Sequence, residues 1–238
     1  NGGTINANAA TVTATGLFTL TSGTYTSTTG AGTFNAGISQ AAGTFTGGGG
    51  AGSTLSVTGA TSVTGSGTFS TAQVTSTFAG SVTFNSSGTF TTAGVTSITG
   101  VGSNFTTTAG TISINGTSFN VAGTGGSAWA VNGATAVVST NAVPITVVGT
   151  LNCTNGTYNA GSSVNSFGGL TINGCDFNDT TNAVTGTVVG ANGMSFTGVN
   201  GKAYVSGNGL LTVTGAFSMG TWPAACTPIC FTFSTGVT

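Results

Sequence analysis

Few side chains of this 238-residue chain can carry out acid–base chemistry. Asp176, Asp179 and Lys202 are its only permanently charged residues, and the chain contains no Arg, Glu or His. General acid–base catalysis needs side chains whose pKa lies near the working pH. The composition therefore predicts a protein that is not an enzyme, with no catalytic residue, no cofactor and no metal site.

The three charged residues nevertheless allow two specific hypotheses. Asp176 and Asp179 could act as the paired carboxylates of a glycosidase, but they stand in a stretch of Asn, Asp and Thr that is typical of a polar turn. Lys202 could form an isopeptide bond with an Asn or Asp side chain. A solvated Lys202, or one paired with an Asp, is the simpler interpretation.

All four cysteines lie in the last third of the chain, at Cys153, Cys175, Cys226 and Cys230. An even number of Cys in a chain without His favours disulfides and an oxidising compartment over zinc binding. The separation of Cys153 and Cys175 in the sequence is 22. Cys226 would close a tight loop with Cys230. This pairing is preferred, and the two other connectivities of four cysteines stay open.

Sequons for Asn-linked glycosylation form a further group of candidate sites. A chain rich in Asn, Ser and Thr produces such triplets by chance, but attached sugar would offset the lack of charge. The candidate sites are Asn85, Asn104, Asn115, Asn152, Asn155 and Asn178.

Short alternating runs of apolar and hydroxyl residues, most of them closed by Gly, predict an all-β protein without long helices. No apolar run is long enough to span a membrane, and the lack of basic residues argues against nucleic-acid binding. No export signal begins at Asn1, so we expect a mature, exported chain located outside the cell or on its surface.

A Gly-Thr-aromatic phrase repeats along the chain and sets the expected fold. It begins at Gly23, Gly32, Gly43, Gly67, Gly88 and Gly156. The members at Gly23, Gly43, Gly67 and Gly88 follow one another at nearly constant intervals, which is typical of solenoids. We predict a right-handed parallel β-helix with coils of roughly 20–24 residues. The alternative is a pilin-like β-sandwich that strand exchange completes.

The stretch of residues 88–100, GTFTTAGVTSITG, resembles the β-helical passengers of bacterial surface proteins, namely the filamentous-haemagglutinin-like and autotransporter-repeat families. The similarity covers roughly residues 10–215. It implies an exported adhesive or structural protein and supplies no catalytic residues. Those families usually contain more charged residues and rarely four Cys.

The repeat pattern divides the chain into three segments. We expect a repetitive solenoid at 1–122, an irregular coil or junction at 123–150, and a disulfide-containing β region at 151–238. The last segment includes a candidate cap or docking strand with Ile229, Phe231 and Phe233. An exposed solenoid end is an edge that must be covered or used for assembly.

These features predict a secreted structural subunit that polymerises head to tail into a filament, sheath or adhesive layer. One alternative is a surface adhesin that stays monomeric and contacts glycans or a neighbouring cell surface. The other is an ice-binding solenoid, because the chain contains Thr-x-Thr pairs. Their phase drifts along the sequence, which favours Thr simply filling outward strand positions. The pairs begin at Thr19, Thr24, Thr44, Thr89 and Thr212.

Overall fold

The computed structural model describes residues 2–179, 186–196, 204–206, 211–220 and 231–232. Lys202, Cys226, Cys230, Ile229 and Phe233 lie outside these residues, as does the side chain of Phe231. Within the described part the chain contains no helix, and so none that could cross a membrane.

The chain folds into a right-handed parallel β-solenoid of about nine turns. Every strand pairing in the described residues is parallel. The predicted β-helix is confirmed, and the β-sandwich alternative is wrong because its strands would pair antiparallel.

The described residues form 24 strands. In chain order these are β1 (Thr4–Asn8), β2 (Val12–Ala14), β3 (Phe18–Leu20), β4 (Thr24–Ser27), β5 (Ala31–Phe34), β6 (Ile38–Gln40), β7 (Thr44–Thr46), β8 (Thr54–Val57), β9 (Thr61–Gly65), β10 (Thr68–Ser70), β11 (Thr75–Phe78), β12 (Val82–Thr91), β13 (Val95–Ile98), β14 (Phe105–Ser113), β15 (Ser118–Val121), β16 (Trp129–Ser139), β17 (Ile145–Asn159), β18 (Asn165–Ile172), β19 (Cys175–Asp179), β20 (Thr187–Phe196), β21 (Tyr204–Ser206), β22 (Leu211–Val213), β23 (Phe217–Met219) and β24 (Phe231–Thr232).

The strands stack into three faces, which we call A, B and C in the order in which each turn visits them. Face A begins with β1, β4, β7 and β10 and continues through the ends of β12, β14, β16 and β17 to β19. Face B begins with β2, β5 and β8, and face C with β3, β6 and β9. Long strands such as β12 turn a corner and contribute to two faces.

An inward column on face A gives the period of the solenoid. Its members are Ile5, Tyr25, Phe45, Phe69, Phe90, Ile112, Val138, Tyr158 and Phe177. The sequence distance between neighbours is shortest from Tyr158 to Phe177 and longest from Ile112 to Val138. The coils therefore vary more in length than the sequence predicts, and the corners absorb the difference.

Aromatic rings stack along this column. The ring centroids of Phe45 and Phe69 are 4.5 Å apart with an interplanar angle of 7°, and those of Phe69 and Phe90 are 5.2 Å apart at 3°. These distances lie near the roughly 4.8 Å separation of neighbouring strands. The nearly parallel rings therefore repeat at the spacing of the strands that carry them.

Glycine forms the corner that precedes face A. Gly23 and Gly43 have φ angles of 91° and 77°, which favour residues without a side chain. A Cβ added to Gly43 would collide with the backbone of Gly23, and the Thr44 N–H donates to the Gly23 carbonyl at 2.9 Å. The repeated Gly-Thr-aromatic phrase thus marks this corner, except at Gly32, which lies in β5 on face B.

Candidate functional site: the hydroxyl ladder of face A

Two outward columns flank the aromatic column of face A. Their members are half-buried or exposed and are Thr or Ser in successive turns. We call this set the hydroxyl ladder; it comprises the pairs Thr24 and Thr26, Thr44 and Thr46, Thr68 and Ser70, Thr89 and Thr91, and Thr111 and Ser113.

The ladder has two fixed spacings. Neighbouring turns are about 4.8 Å apart, and alternate residues of one strand are about 6.6 Å apart. Strands β7 and β10 pair without a register shift, so Thr44 aligns with Thr68 and Thr46 with Ser70. Thr also has few side-chain rotamers because it is β-branched. The result is a regular mesh of hydroxyl and methyl groups.

The phase drift inferred from the sequence is wrong for face A. The register places the pairs that begin at Thr24, Thr44 and Thr89 in the same two columns. Thr19 lies on face C and Thr212 on face B, so these pairs belong to other surfaces. A search for Thr-x-Thr alone also misses the turns in which Ser fills the second column.

Beyond the ladder, the outward columns of face A change chemistry. The next pairs are Val137 with Ser139, Thr157 with Asn159, and Asp176 with Asn178. The Asn178 amide donates to the Asn159 side-chain oxygen at 2.9 Å, and the Asn159 amide donates to Ser139 Oγ at 3.5 Å. We call this part of the molecule, from Val137 to Asp179, the amide region.

The two aspartates are not arranged as a catalytic pair. Both lie in β19, and the rest of the predicted polar turn, residues 180–182, lies outside the described residues. Asp176 is half-buried on face A, whereas Asp179 is completely buried and accepts a hydrogen bond from the Thr187 hydroxyl at 2.9 Å. Burial and, secondarily, the nearby Asp179 raise the pKa of Tyr158 well above its ordinary value. Since one carboxylate faces outward and the other is enclosed, they share no cleft.

A disulfide joins Cys153 to Cys175, as the sequence predicts. The two Cα atoms are 5.5 Å apart and both residues are fully buried. Cys153 is in register with Ile172, and Cys175 with Gly156, so the bridge runs diagonally between successive turns.

The sequons occupy different environments. Asn85 and Asn115 are exposed, whereas Asn104, Asn152, Asn155 and Asn178 are half-buried. Asn152 donates a hydrogen bond to Ser127 Oγ at 3.4 Å, and Asn178 is bonded within the amide region. Asn85 is therefore the most accessible candidate, because the exposed Asn115 amide donates to Ser113 Oγ at 3.1 Å. Glycosylation of either stays a prediction.

Comparisons with protein-family models, with curated proteins and with solved structures found no match. The resemblance to β-helical bacterial surface proteins accordingly stays a prediction from the sequence.

Proposed function

We propose that the hydroxyl ladder of face A binds the surface of ice. The observation that carries this proposal is the register, which aligns Thr or Ser side chains in two columns over successive turns. A crystal of water presents hydrogen-bonding groups at fixed repeats. A ligand of that kind is matched by a regular mesh rather than by a single pocket.

The physical properties of the ladder suit such a ligand. Each hydroxyl both donates and accepts a hydrogen bond, so it can replace a water molecule at a lattice edge. Individual hydrogen bonds contribute little net free energy in water. Because the strands hold the ladder rigid, many weak contacts form together without a large loss of conformational entropy. The ladder residues carry no charge that would hold a strong hydration shell.

Thermal hysteresis measures this activity directly. The unmodified chain at micromolar concentration is expected to depress the freezing point below the melting point. Thr91→Tyr places a bulky ring in the ladder and should abolish most of the hysteresis. Thr83→Tyr is the matched control, because Thr83 lies in the same strand β12 but points outward on face C.

Equal hysteresis in the two variants would contradict the assignment to face A. Absence of hysteresis in the unmodified chain would contradict ice binding altogether. Circular dichroism of both variants ensures that loss of activity is not loss of fold.

A second candidate function is an exported structural subunit that assembles end to end into a filament, sheath or adhesive layer. A nearly uncharged surface promotes association, and the Cys153–Cys175 disulfide suits an oxidising compartment outside the cell. Within the described residues β1 pairs only with β4, and Ile5 is 50 % exposed although it belongs to the inward column.

Light scattering and electron microscopy of the purified chain test this second candidate. Concentration-dependent rods that lengthen along the solenoid axis would support it, and Ile5→Lys should prevent their growth. Val101→Lys is the control, since Val101 is 70 % exposed at a side corner and not at the first turn. A chain that stays monomeric at high concentration would contradict assembly and favour the monomeric adhesin.

A further inference from the structure

A groove follows the corner between faces A and B in the amide region. It encloses about 290 Å³ and is lined by Ser139, Asn141, Asn159, Ala160, Gly161 and Ser162. The lining comes from two successive turns, so the groove exists only when β16 and β17 stack in register. It is a depression in the surface, unlike the hydroxyl ladder, which follows the outward face of the strands.

Specific contacts hold the wall of the groove at Asn141. This residue has a left-handed φ of 50°, which is uncommon for residues other than Gly. Its amide donates to the Ile114 carbonyl at 2.9 Å and to the Asn115 side-chain oxygen at 3.0 Å. These bonds fix both the backbone and the side chain of Asn141 before any ligand binds.

The floor is made by Gly161, which lies directly against the backbone of Asn141. A Cβ at this position would collide with the Asn141 carbonyl. The Gly161 N–H donates to Thr140 Oγ1 at 2.6 Å. Small residues, Gly161 and the buried Ala160, therefore leave an even floor beneath the polar side chains.

The lining carries no charge and combines polar side chains with apolar surface. Asn141 donates both of its amide N–H groups within the protein, so it offers a ligand its side-chain oxygen as an acceptor, whereas Asn159 keeps one N–H beside its bond to Ser139. Serine hydroxyls can donate or accept. Neighbouring hydroxyls of a sugar ring can likewise donate and accept, and the ring's C–H face can lie on the Gly161 and Ala160 floor. The volume of the groove is near the lower end of the range for small-molecule sites. We propose that this groove binds a neutral oligosaccharide, independently of the hydroxyl ladder.

Nuclear magnetic resonance titration tests the proposal on the full chain. Cellopentaose, laminaripentaose and maltopentaose are added separately at millimolar concentrations to the ¹⁵N-labelled protein. At least one of them should shift the amide signals of Gly161 and Ser162 and of their neighbours in the groove. The ladder residues of face A should not respond.

Two variants locate the binding. Ser162→Trp fills the groove from an exposed position and should abolish the shifts, and Asn159→Ala should weaken them by removing one amide. Thr135→Trp is the control, because Thr135 is exposed at the corner between faces C and A. No response to any of the three sugars, or shifts that persist in Ser162→Trp, would overturn the proposal. Neither result would bear on ice binding.

Discussion

The hydroxyl ladder and the amide region share one core but expose different surfaces. Beneath the ladder, the ring centroids of Tyr25 and Phe45 are 4.7 Å apart, and in the amide region those of Tyr158 and Phe177 are 4.8 Å apart. Outside, paired Thr and Ser residues give way to Asn159, Asn178 and Asp176. The inward column thus fixes the stacking of the turns, while the outward columns are free to differ in chemistry.

The interiors of the two regions also differ. The amide region contains the Cys153–Cys175 disulfide and a polar cluster in which the Tyr158 hydroxyl donates to Asn165 Oδ1 at 3.0 Å. Beneath the ladder, by contrast, the buried hydroxyl of Tyr25 has no hydrogen-bond partner among the described residues. We expect aromatic stacking to stabilise both regions. The disulfide and the Tyr158–Asn165 hydrogen bond should stabilise only the amide region.

Loss of one ring from the shared column is the largest expected effect. Phe69→Ala and Phe177→Ala should each lower the free energy of unfolding by about 3–5 kcal/mol, because both residues are completely buried. Chemical denaturation checks the values. A large cost in one region and almost none in the other would break the view that a single column supports both.

Removal of the disulfide should affect the amide region alone. Cys153→Ala combined with Cys175→Ala is expected to lower the free energy of unfolding by about 3 kcal/mol. The reason is that the bridge closes a loop whose ends are 22 residues apart in the sequence. Hydrogen exchange should then rise in β17–β19 and stay unchanged in β4–β10. An equal rise in hydrogen exchange throughout the chain would mean that the two regions unfold as one unit.

A smaller effect separates the two buried tyrosines. Tyr158→Phe should cost about 1 kcal/mol, because it removes the hydrogen bond to Asn165. Tyr25→Phe should be neutral or stabilising, because it removes a buried hydroxyl without a described partner. Chemical denaturation of both variants measures the two changes. An equal loss of free energy of unfolding in Tyr158→Phe and Tyr25→Phe would contradict the difference between the interiors.

The smallest expected effect is that of pH between about 5 and 8, where the chain has no His to titrate. Above about pH 10 the free energy of unfolding should fall. Burial raises the pKa values of Tyr25 and Tyr158, so the folded state holds protons that the unfolded state has already released. Tyr158→Phe should reduce this alkaline loss. A steep fall in the free energy of unfolding near pH 6.5 would contradict the small effect expected between about pH 5 and 8.

The fold was predictable because Gly, Thr and an aromatic residue recur together at the same corner of several coils, at Gly23, Gly43, Gly67, Gly88 and Gly156. The Cys153–Cys175 bridge was predictable for a related reason, since its spacing is close to one coil. The ladder was not, because coils of unequal length shift its phase in the sequence and Ser replaces Thr in some turns. The groove depends on how two corners stack, as at Asn141 and Gly161, and no local pattern records that.

Ice-affinity partitioning measures whether the register of face A creates an ice-binding surface. A dilute solution of the chain is frozen slowly onto a cooled probe, and the protein in the ice is compared with that in the remaining liquid. The unmodified chain and Thr83→Tyr should be enriched in the ice, and Thr91→Tyr should stay in the liquid. Exclusion of the unmodified chain from the ice would contradict ice binding by face A.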